Sequence, residues 1–261
     1  MVNKTGYCDF HCHLDDECFD ENRREIIDRC FGLGITNLVS VADPFKMTSL
    51  EKTEKILAYH PTIHAICGAH PHLADQYSPA IEKQLIAFHE KIKIKAIGEV
   101  GLDFHYDFAT RENQINVFLR QIAIAREMGL PLVIHSRNAE AEVLKILEAE
   151  QFALPVVFHC YTGNMAAAEE ILHRNYCISI SGIVTFKKAD ALREIVKTIP
   201  LPQLFSETDS PYLSPEPKRG EINTPLNVIH VVEKIAAIKK LDADHINAAI
   251  SENLLRLLGK N

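Results

Sequence analysis

The chain has 261 residues, of which 47% are hydrophobic and 24% charged, a composition typical of a globular protein with a large core. Its net charge of -7 argues against a protein that binds nucleic acid through bulk electrostatic attraction, because such proteins are basic. No run of about 18 apolar residues occurs, so we expect no transmembrane helix. Residues 1–6 lack the apolar core of a secretion signal, and the seven cysteines form no Cys-x-x-Cys pair, so we predict a cytoplasmic protein with reduced thiols.

Short apolar strands alternate with amphipathic helices along the chain. In the first half, strands are predicted over 7–13, 35–42, 63–69 and 94–100, and helices over 21–31, 48–59, 79–91 and 110–128. In the second half, strands are predicted over 132–135, 156–160, 177–181 and 204–209, and helices over 139–149, from about 164, and over 188–197, 225–240 and 243–258. The region 210–224 is the longest irregular segment.

Eight strand–helix units in this length are typical of a (β/α)8 barrel. A doubly wound sheet is the alternative, but no glycine-rich phosphate loop follows the first strand. We therefore predict a single domain with a TIM-type (β/α)8 barrel over residues 1–261, without a linker or a second domain.

Polar side chains recur at the predicted strand ends, which is where such barrels place their active sites. They are His11 and His13 on the first strand, His70 and His72 after the third, Glu99 on the fourth, His135 on the fifth, His159 on the sixth and Asp209 on the eighth. Because chance placement at strand ends becomes improbable when it recurs, we expect these side chains to meet at one mouth of the barrel.

Imidazoles and carboxylates suit divalent cations such as Zn, Mn and, where carboxylates dominate, Mg. The residues predicted to hold a first ion are His11, His13, Glu99 and Asp209. Those predicted to hold a second ion are Glu99, His135 and His159. Glu99 is predicted to bridge the two ions, and Asp209 to orient the attacking water or accept its proton.

Other residues near the mouth have two interpretations each. His70, Arg137 and Arg219 either contact substrate phosphates or serve as ordinary polar loop residues. Cys12 and Cys160 neighbour the ligand histidines, but strand pleating predicts that both face the helices. We expect Asp9 and Glu207 to lie deeper in the barrel than the metal ligands and to support them. The aromatic residues that fall in loops after strands either stack on bases or pack at the rim: Tyr106, Phe108, Tyr161 and Phe186.

Taken together, five blocks of this sequence resemble the TatD family of metal-dependent deoxyribonucleases, which are amidohydrolase-like barrels. The blocks are DFHCHLD (9–15), GEVGLD (98–103), HSR (135–137), HCYTG (159–163) and ETDSPYL (207–213). The likeness runs from about residue 7 to the C-terminus. It implies two divalent metals on the ligands named above, with glutamate where many relatives use a carbamylated lysine. It also implies hydrolysis of DNA phosphodiester bonds, usually from 3′ to 5′.

The predicted substrate is therefore single-stranded DNA or DNA strand ends, with no membrane and no obligate protein partner. The acidic net charge fits an enzyme that acts at strand ends better than a tight duplex binder. One alternative keeps the two metals but changes the substrate to another ester or amide, such as aminoacyl-tRNA. A second alternative is a non-catalytic scaffold, which the sequence argues against because structural sites close around one ion.

Overall fold

A computed structural model describes residues 6–259 of the chain. Within this range eight strands follow one another around a parallel sheet in chain order. They are β1 (Tyr7–Cys12), β2 (Ile35–Ala42), β3 (Ile63–Cys67), β4 (Ile97–Asp103), β5 (Leu132–Arg137), β6 (Val156–Phe158), β7 (Cys177–Ile180) and β8 (Leu204–Ser206).

Each strand is followed by a helix, as the alternating pattern predicts. The helices of residues 6–259 are α1 (Arg23–Gly32), α2 (Met47–Leu57), α3 (Pro79–Ile92), α4 (Arg111–Met128), α5 (Glu140–Ala149), α6 (Met165–His173), α7 (Asp190–Thr198), α8 (Val228–Lys239) and α9 (Ala243–Leu258). The longest, α4, begins after Thr110, whose hydroxyl accepts a hydrogen bond from the Asn113 amide, and ends at Gly129, whose φ of 67° suits glycine.

Contacts between β1 and the chain around β8 close the barrel. The hydroxyl of Ser206 donates to the Cys8 carbonyl at 3.1 Å. Further along, the Asp209 amide donates to the His11 carbonyl at 2.9 Å, and the His13 amide donates to the Ser210 carbonyl at 2.7 Å. These backbone bonds join two ends of the chain that are distant in sequence, and they bring Asp209 beside His11 of β1 and His13, which follows that strand.

The core lies between the sheet and the surrounding helices. Its largest cluster takes in buried side chains of most strands and helices, and a second cluster packs α1 and the start of β2 against the end of β1. Phe10 of β1 contacts Phe205 of β8 with ring centroids 4.5 Å apart, which strengthens the closure of the barrel. Burial of this kind fixes the strands rigidly and therefore fixes the side chains at their ends.

Five of the eight strands end earlier than the sequence predicts, β4 and β5 end later, and at β6 and β8 the difference changes the position of site residues. β6 ends at Phe158 rather than at 160, and β8 ends at Ser206 rather than at 209. Cys160 and Asp209 have φ values of 42° and 56°, so the chain turns sharply where an extended strand was expected. His159 and Asp209 therefore lie on turns at the mouth and not within the strands.

The described chain forms one (β/α)8 barrel domain, as predicted. The predicted outer bounds at residues 1 and 261 lie outside the described residues and stay a prediction. All seven cysteines are free thiols, which agrees with the expectation of reduced cysteines. Among residues 6–259, no helix is both long and apolar enough to cross a membrane.

Candidate metal centre

A large cavity opens at the end of the barrel where the carboxyl ends of the strands meet. Its volume is about 1130 Å³, enough for more than one nucleotide-sized group. The predicted site residues that line it are His13, His70, Glu99, His135, Arg137, His159 and Asp209. His11 lies beneath the cavity floor and is fully buried.

Glu99 of β4 lies at the centre of the cluster. One carboxylate oxygen, Oε1, is 2.7 Å from His135 Nδ1, 2.6 Å from His159 Nε2 and 3.3 Å from His70 Nε2. The other oxygen, Oε2, is 3.5 Å from His11 Nε2. The two oxygens of a single buried carboxylate therefore face two different groups of histidines.

The first group consists of side chains from the end of β1, from the residue that follows it and from the turn after β8. Asp209 Oδ1 is 3.3 Å from His13 Nε2 and 3.8 Å from His11 Nε2. His11, His13 and Glu99 offer ligand atoms that all lie within 4.8 Å of one another. The second group, with the same spacing, consists of Glu99, His135 and His159.

Unpaired polar atoms in the floor of the cavity fit a bound cation. Both ring nitrogens of His11 are buried and have no hydrogen-bond partner within residues 6–259, and Glu207 Oε2 is in the same condition. Leaving such atoms buried and unpaired costs about 1–3 kcal/mol each. An imidazole nitrogen that faces carboxylates is a natural ligand for a divalent cation, so the donor set fits metal binding.

Buried carboxylates support both histidines of the second group. His135 Nε2 lies 2.9 Å from Asp103 Oδ2, and His159 Nδ1 lies 3.2 Å from Glu207 Oε1. Each histidine thus presents one nitrogen to Glu99 and the other to a second carboxylate. This arrangement fixes the ring orientation and raises the basicity of the nitrogen that faces the cavity.

The role of Asp103 was not predicted from the sequence. Its Oδ2 also lies 2.8 Å from His72 Nε2, and its Oδ1 accepts hydrogen bonds from the amides of His105 and Tyr106. The signal that could have found it is the spacing on β4, because residues two and four positions apart on a strand share a face. Glu99 and Asp103 are four positions apart and point to the same side.

Burial and neighbouring charges have opposite effects on the pKa values of the clustered carboxylates and imidazoles. Burial alone would raise the pKa of Glu99, but the neighbouring His159 and His70 lower it well below its usual value. Burial would lower the pKa of His13, but its hydrogen bond and charge interaction with Asp209 raise it to about 9. Burial dominates at His70, whose pKa falls to about 4.

Asp9 supports the site through the backbone. Its carboxylate accepts hydrogen bonds from the Thr208 amide at 2.8 Å, the Thr208 hydroxyl at 2.5 Å and the His11 amide at 3.3 Å. It therefore fixes β1 against the segment that leads to Asp209. Burial raises the pKa of Asp9 well above its usual value.

One expectation about the residues around the mouth needs correction. Cys12 faces the helical layer as predicted, with Sγ 3.4 Å from the Val39 carbonyl, but Cys160 lines the cavity. The prediction for Cys160 assumed a continuing strand, whereas the chain has already turned after Phe158. For two of the aromatic residues the contacts agree with the packing alternative: Tyr161 is buried with its hydroxyl donating to the Asn164 carbonyl, and the guanidinium of Arg219 lies over the ring of Phe186.

The predicted phosphate contacts differ in position. His70 and Arg137 line the cavity, whereas Arg219 lies outside the set of residues that line it. The Arg219 guanidinium also donates to the Ser214 carbonyl at 3.0 Å. Contact between these side chains and substrate stays a prediction, and the geometry favours His70 and Arg137.

Comparisons with known proteins give a consistent result. The family described as TatD related DNase matches residues 8–259. The uncharacterized metal-dependent hydrolase YabD of Bacillus subtilis is 37% identical over 97% of this chain and 99% of its own length. The 3'-5' ssDNA/RNA exonuclease TatD of Escherichia fergusonii is 31% identical over 96% of this chain and 98% of its own length.

Solved structures show the same architecture. The TatD homologue YJJV of Escherichia coli K12 superimposes with a TM-score of 0.88 at 25% identity and covers 96% of this chain and 97% of its own. A TatD family hydrolase from Entamoeba histolytica, at 18% identity, gives a TM-score of 0.87 and covers 97% of each chain. The latter likeness supports the fold alone.

Proposed function

The chain belongs to the family of TatD-related DNases and is a metal-dependent hydrolase, and from that premise we propose that it hydrolyses DNA phosphodiester bonds from the 3′ end with two divalent cations. The observation that carries the proposal is the position of Glu99, whose two carboxylate oxygens face the two groups of histidines. A shared anion between paired cations is what two-metal phosphoryl chemistry requires.

Six side chains hold the ions in this proposal. His11, His13 and Asp209 hold one, His135 and His159 hold the other, and Glu99 contacts both. Mg, Mn and Zn all suit such ligands, and the four imidazoles favour Zn or Mn over Mg. When bound, the cations polarise the scissile phosphate and lower the pKa of the attacking water.

Asp209 is the proposed proton acceptor. Burial would raise its pKa, but the hydrogen bond to His13 and the nearby charge of His11 and His159 lower it, so the carboxylate is ionised at neutral pH. Its Oδ1 lies beside His11 and His13, at the edge of the cavity. A water molecule there can donate its proton to Asp209 as it attacks phosphorus, while the P–O bond to the adjoining nucleotide breaks and the leaving oxygen takes a proton from solvent.

Phosphate binding falls to His70 and Arg137 in this proposal. Both line the cavity, and His70 Nε2 points at Glu99 Oε1. The net charge of the chain is -7, so attraction of a polyanion depends on Arg137 and on the cations, while His70, with a pKa of about 4, offers a neutral imidazole. Such a site suits the end of a strand, which presents few phosphates at once.

A substrate panel tests the proposal. Enzyme loaded with Mg, Mn or Zn is incubated with single-stranded DNA, duplex DNA and RNA, each labelled at the 5′ end, and with a simple carboxylic ester. Stepwise shortening of DNA from the 3′ end is expected, and it should be lost in Asp209→Asn. If the loaded enzyme leaves every nucleic acid intact while it hydrolyses the ester, the substrate class is wrong.

Metal content is tested separately by elemental analysis of the dialysed protein. Two divalent ions per chain are expected for wild type, and fewer for His159→Ala. One ion per chain at saturating metal would contradict the proposed pair.

A further inference from the structure

Two aromatic side chains stand exposed at the rim of the cavity, in the loop between β4 and α4. Tyr106 is 39% exposed and Phe108 is 64% exposed, and both line the cavity. Their ring centroids lie 5.3 Å apart with 32° between the planes. Exposed aromatic rings lose the free energy of burial, so a pair at the mouth of a binding cavity points to a ligand that covers them.

The loop that carries the rings is fixed at its base. The amides of His105 and Tyr106 both donate to Asp103 Oδ1, at 2.9 Å and 3.1 Å. The ring of His72 contacts Phe108 with centroids 4.8 Å apart and Tyr106 with centroids 5.7 Å apart. A ring held in this way loses little conformational entropy when a flat ligand stacks on it.

The neighbouring charge shows what kind of ligand the rings suit. The Arg137 guanidinium lies over the Tyr106 ring at 4.8 Å from its centroid, so Tyr106 has one face covered and Phe108 is the more open ring. A flat ring beside a guanidinium is complementary to a base joined to a phosphate. Asp107 lies between the two rings in sequence but lines a separate small cavity with Asp75, on the other side of the loop.

The rings also lie close to the candidate metal centre. His72, which contacts Phe108, has its ring centroid 5.7 Å from that of His135. Phe108 is therefore separated from a proposed metal ligand by one side chain. A phosphate in the centre would place the base of an adjoining nucleotide within reach of this rim.

We infer that Phe108, supported by Tyr106, stacks on an unpaired nucleobase of the nucleotide next to the scissile phosphate, while Arg137 contacts the adjoining phosphate. This inference rests on the proposed function and adds the part of the substrate that is recognised. A base can stack on Phe108 only after it has left its partner strand. Single strands and frayed ends are therefore bound better than paired ends, with little dependence on base identity.

The test pairs a protein substitution with a substrate substitution. Binding of a cleavage-resistant phosphorothioate strand to metal-loaded wild type and Phe108→Ala is measured with intact strands and with strands that carry an abasic residue on either side of the reactive linkage. Removal of the Phe108 ring alone, or of the base alone, should weaken binding about tenfold, which is the expected scale for one base stacked on one aromatic ring. The two losses together should cost no more than one, because they remove the same contact.

Further variants separate stacking from packing. Phe108→Leu keeps apolar bulk against His72 but lacks a flat ring, so it should bind intact strands as weakly as Phe108→Ala. Leu255→Ala removes a side chain of similar exposure, 61%, outside the cavity, and should bind like wild type. Metal content and melting temperature should be the same in all these variants.

A direct signal is available because the chain contains no tryptophan. Phe108→Trp introduces a single fluorophore at the proposed contact. Intact strands should quench its fluorescence, and a strand that is abasic at the stacking position should bind without quenching it.

The outcomes distinguish this inference from the proposed function. If wild type cleaves DNA but Phe108→Ala binds intact and abasic strands as tightly as wild type does, the stacking contact is wrong and the nuclease stands. Equal weakening of both strands by Phe108→Ala would indicate a packing role and would also overturn the inference. If wild type neither binds nor cleaves nucleic acid, both proposals are wrong.

Discussion

The two halves of the candidate metal centre are positioned by different means. His11 comes from β1 and His13 directly follows that strand, and Asp209 joins them through backbone hydrogen bonds between this segment and the chain after β8. His135 and His159 come from separate units of the barrel, and each has a buried carboxylate at its second nitrogen, Asp103 or Glu207.

This difference shows which substitutions each half is sensitive to. In the first half the His11 Nδ1 atom is buried without a partner in the described chain, so ring orientation depends on backbone geometry and packing. In the second half ring orientation depends on ionised side chains that can be changed one atom at a time. The centre therefore offers isosteric substitutions that should weaken one proposed ion and spare the other.

The largest effect is expected from Glu99→Gln, which changes the residue that both halves share. Loss of its charge should reduce activity by more than about 100-fold, the upper range for losing a residue behind a ligand. Bound metal, measured by elemental analysis, should also fall. Glu194→Gln, at an exposed carboxylate paired with Lys197, is the matched control and should behave like wild type. Full activity in Glu99→Gln would contradict the shared role.

Asp103→Asn and Glu207→Gln should affect the second half more than the first, and Asp103→Asn should be the more selective of the two because Glu207 also lies close to His11. Each should weaken the binding of one ion by about 10- to 100-fold, because the histidine in front loses its charged partner. Titration against a chromophoric chelator gives the two affinities separately. Asp190→Asn, an exposed surface substitution, controls for the loss of a charge. If the affinity for both ions fell equally, the proposed difference between the two halves would be wrong.

The pH dependence should reveal the protons that the metals displace. The pKa of His13 is raised from 6.5 to about 9, so its contribution to the stability of the metal-free protein is complete below pH 6.5 and is lost as pH rises to about 9. Metal affinity should change oppositely and rise about tenfold per pH unit for each proton released. Melting temperatures of the metal-free protein and metal affinities, both measured from pH 6.5 to 9, test the two predicted pH dependences. His13→Gln should flatten the stability profile, and an unchanged profile would assign the proton elsewhere.

The smallest effects are expected at the two arginines. Arg137→Ala should raise KM for single-stranded DNA about tenfold, since a hydrogen bond to a charged group contributes about 1.5 kcal/mol or more. It should also reduce the slope of log affinity against log salt concentration by about one, because one phosphate contact is lost. Arg219→Ala should change KM less, because this guanidinium already stacks on Phe186 and bonds to the Ser214 carbonyl outside the cavity. A larger effect at Arg219 would place the substrate across the loop after β8.

Sequence patterns were most informative where the chemistry is local. The strand–helix alternation predicted the barrel because apolar period and element length are properties of short segments. The placement of polar residues at strand ends then predicted which side chains meet, since parallel strands in a barrel end at one rim. Glu99, His135 and His159 are found within hydrogen-bonding distance as a result.

Sequence patterns failed where the chain leaves regular structure. The expected outward direction of Cys160 assumed the alternation of a strand, but β6 has ended and the residue lines the cavity. For Tyr161 and Phe186 the sequence left stacking and packing open, and the structure shows one ring buried and the other covered by Arg219. Turn geometry and side-chain partners of this kind depend on neighbours that are distant in the sequence.

The sequence by itself determined the barrel, the family and the residues that reach its mouth, because periodicity and short motifs encode them directly. Only the tertiary structure decided how the two halves of the centre are held. Closure of β1 against the chain after β8 brings Asp209 to His11 and His13, and the return of β4 beside β5 brings Asp103 to His135. The first contact needs the whole ring of strands, and the second needs the pairing of β4 with β5, since no local segment contains both partners of either contact.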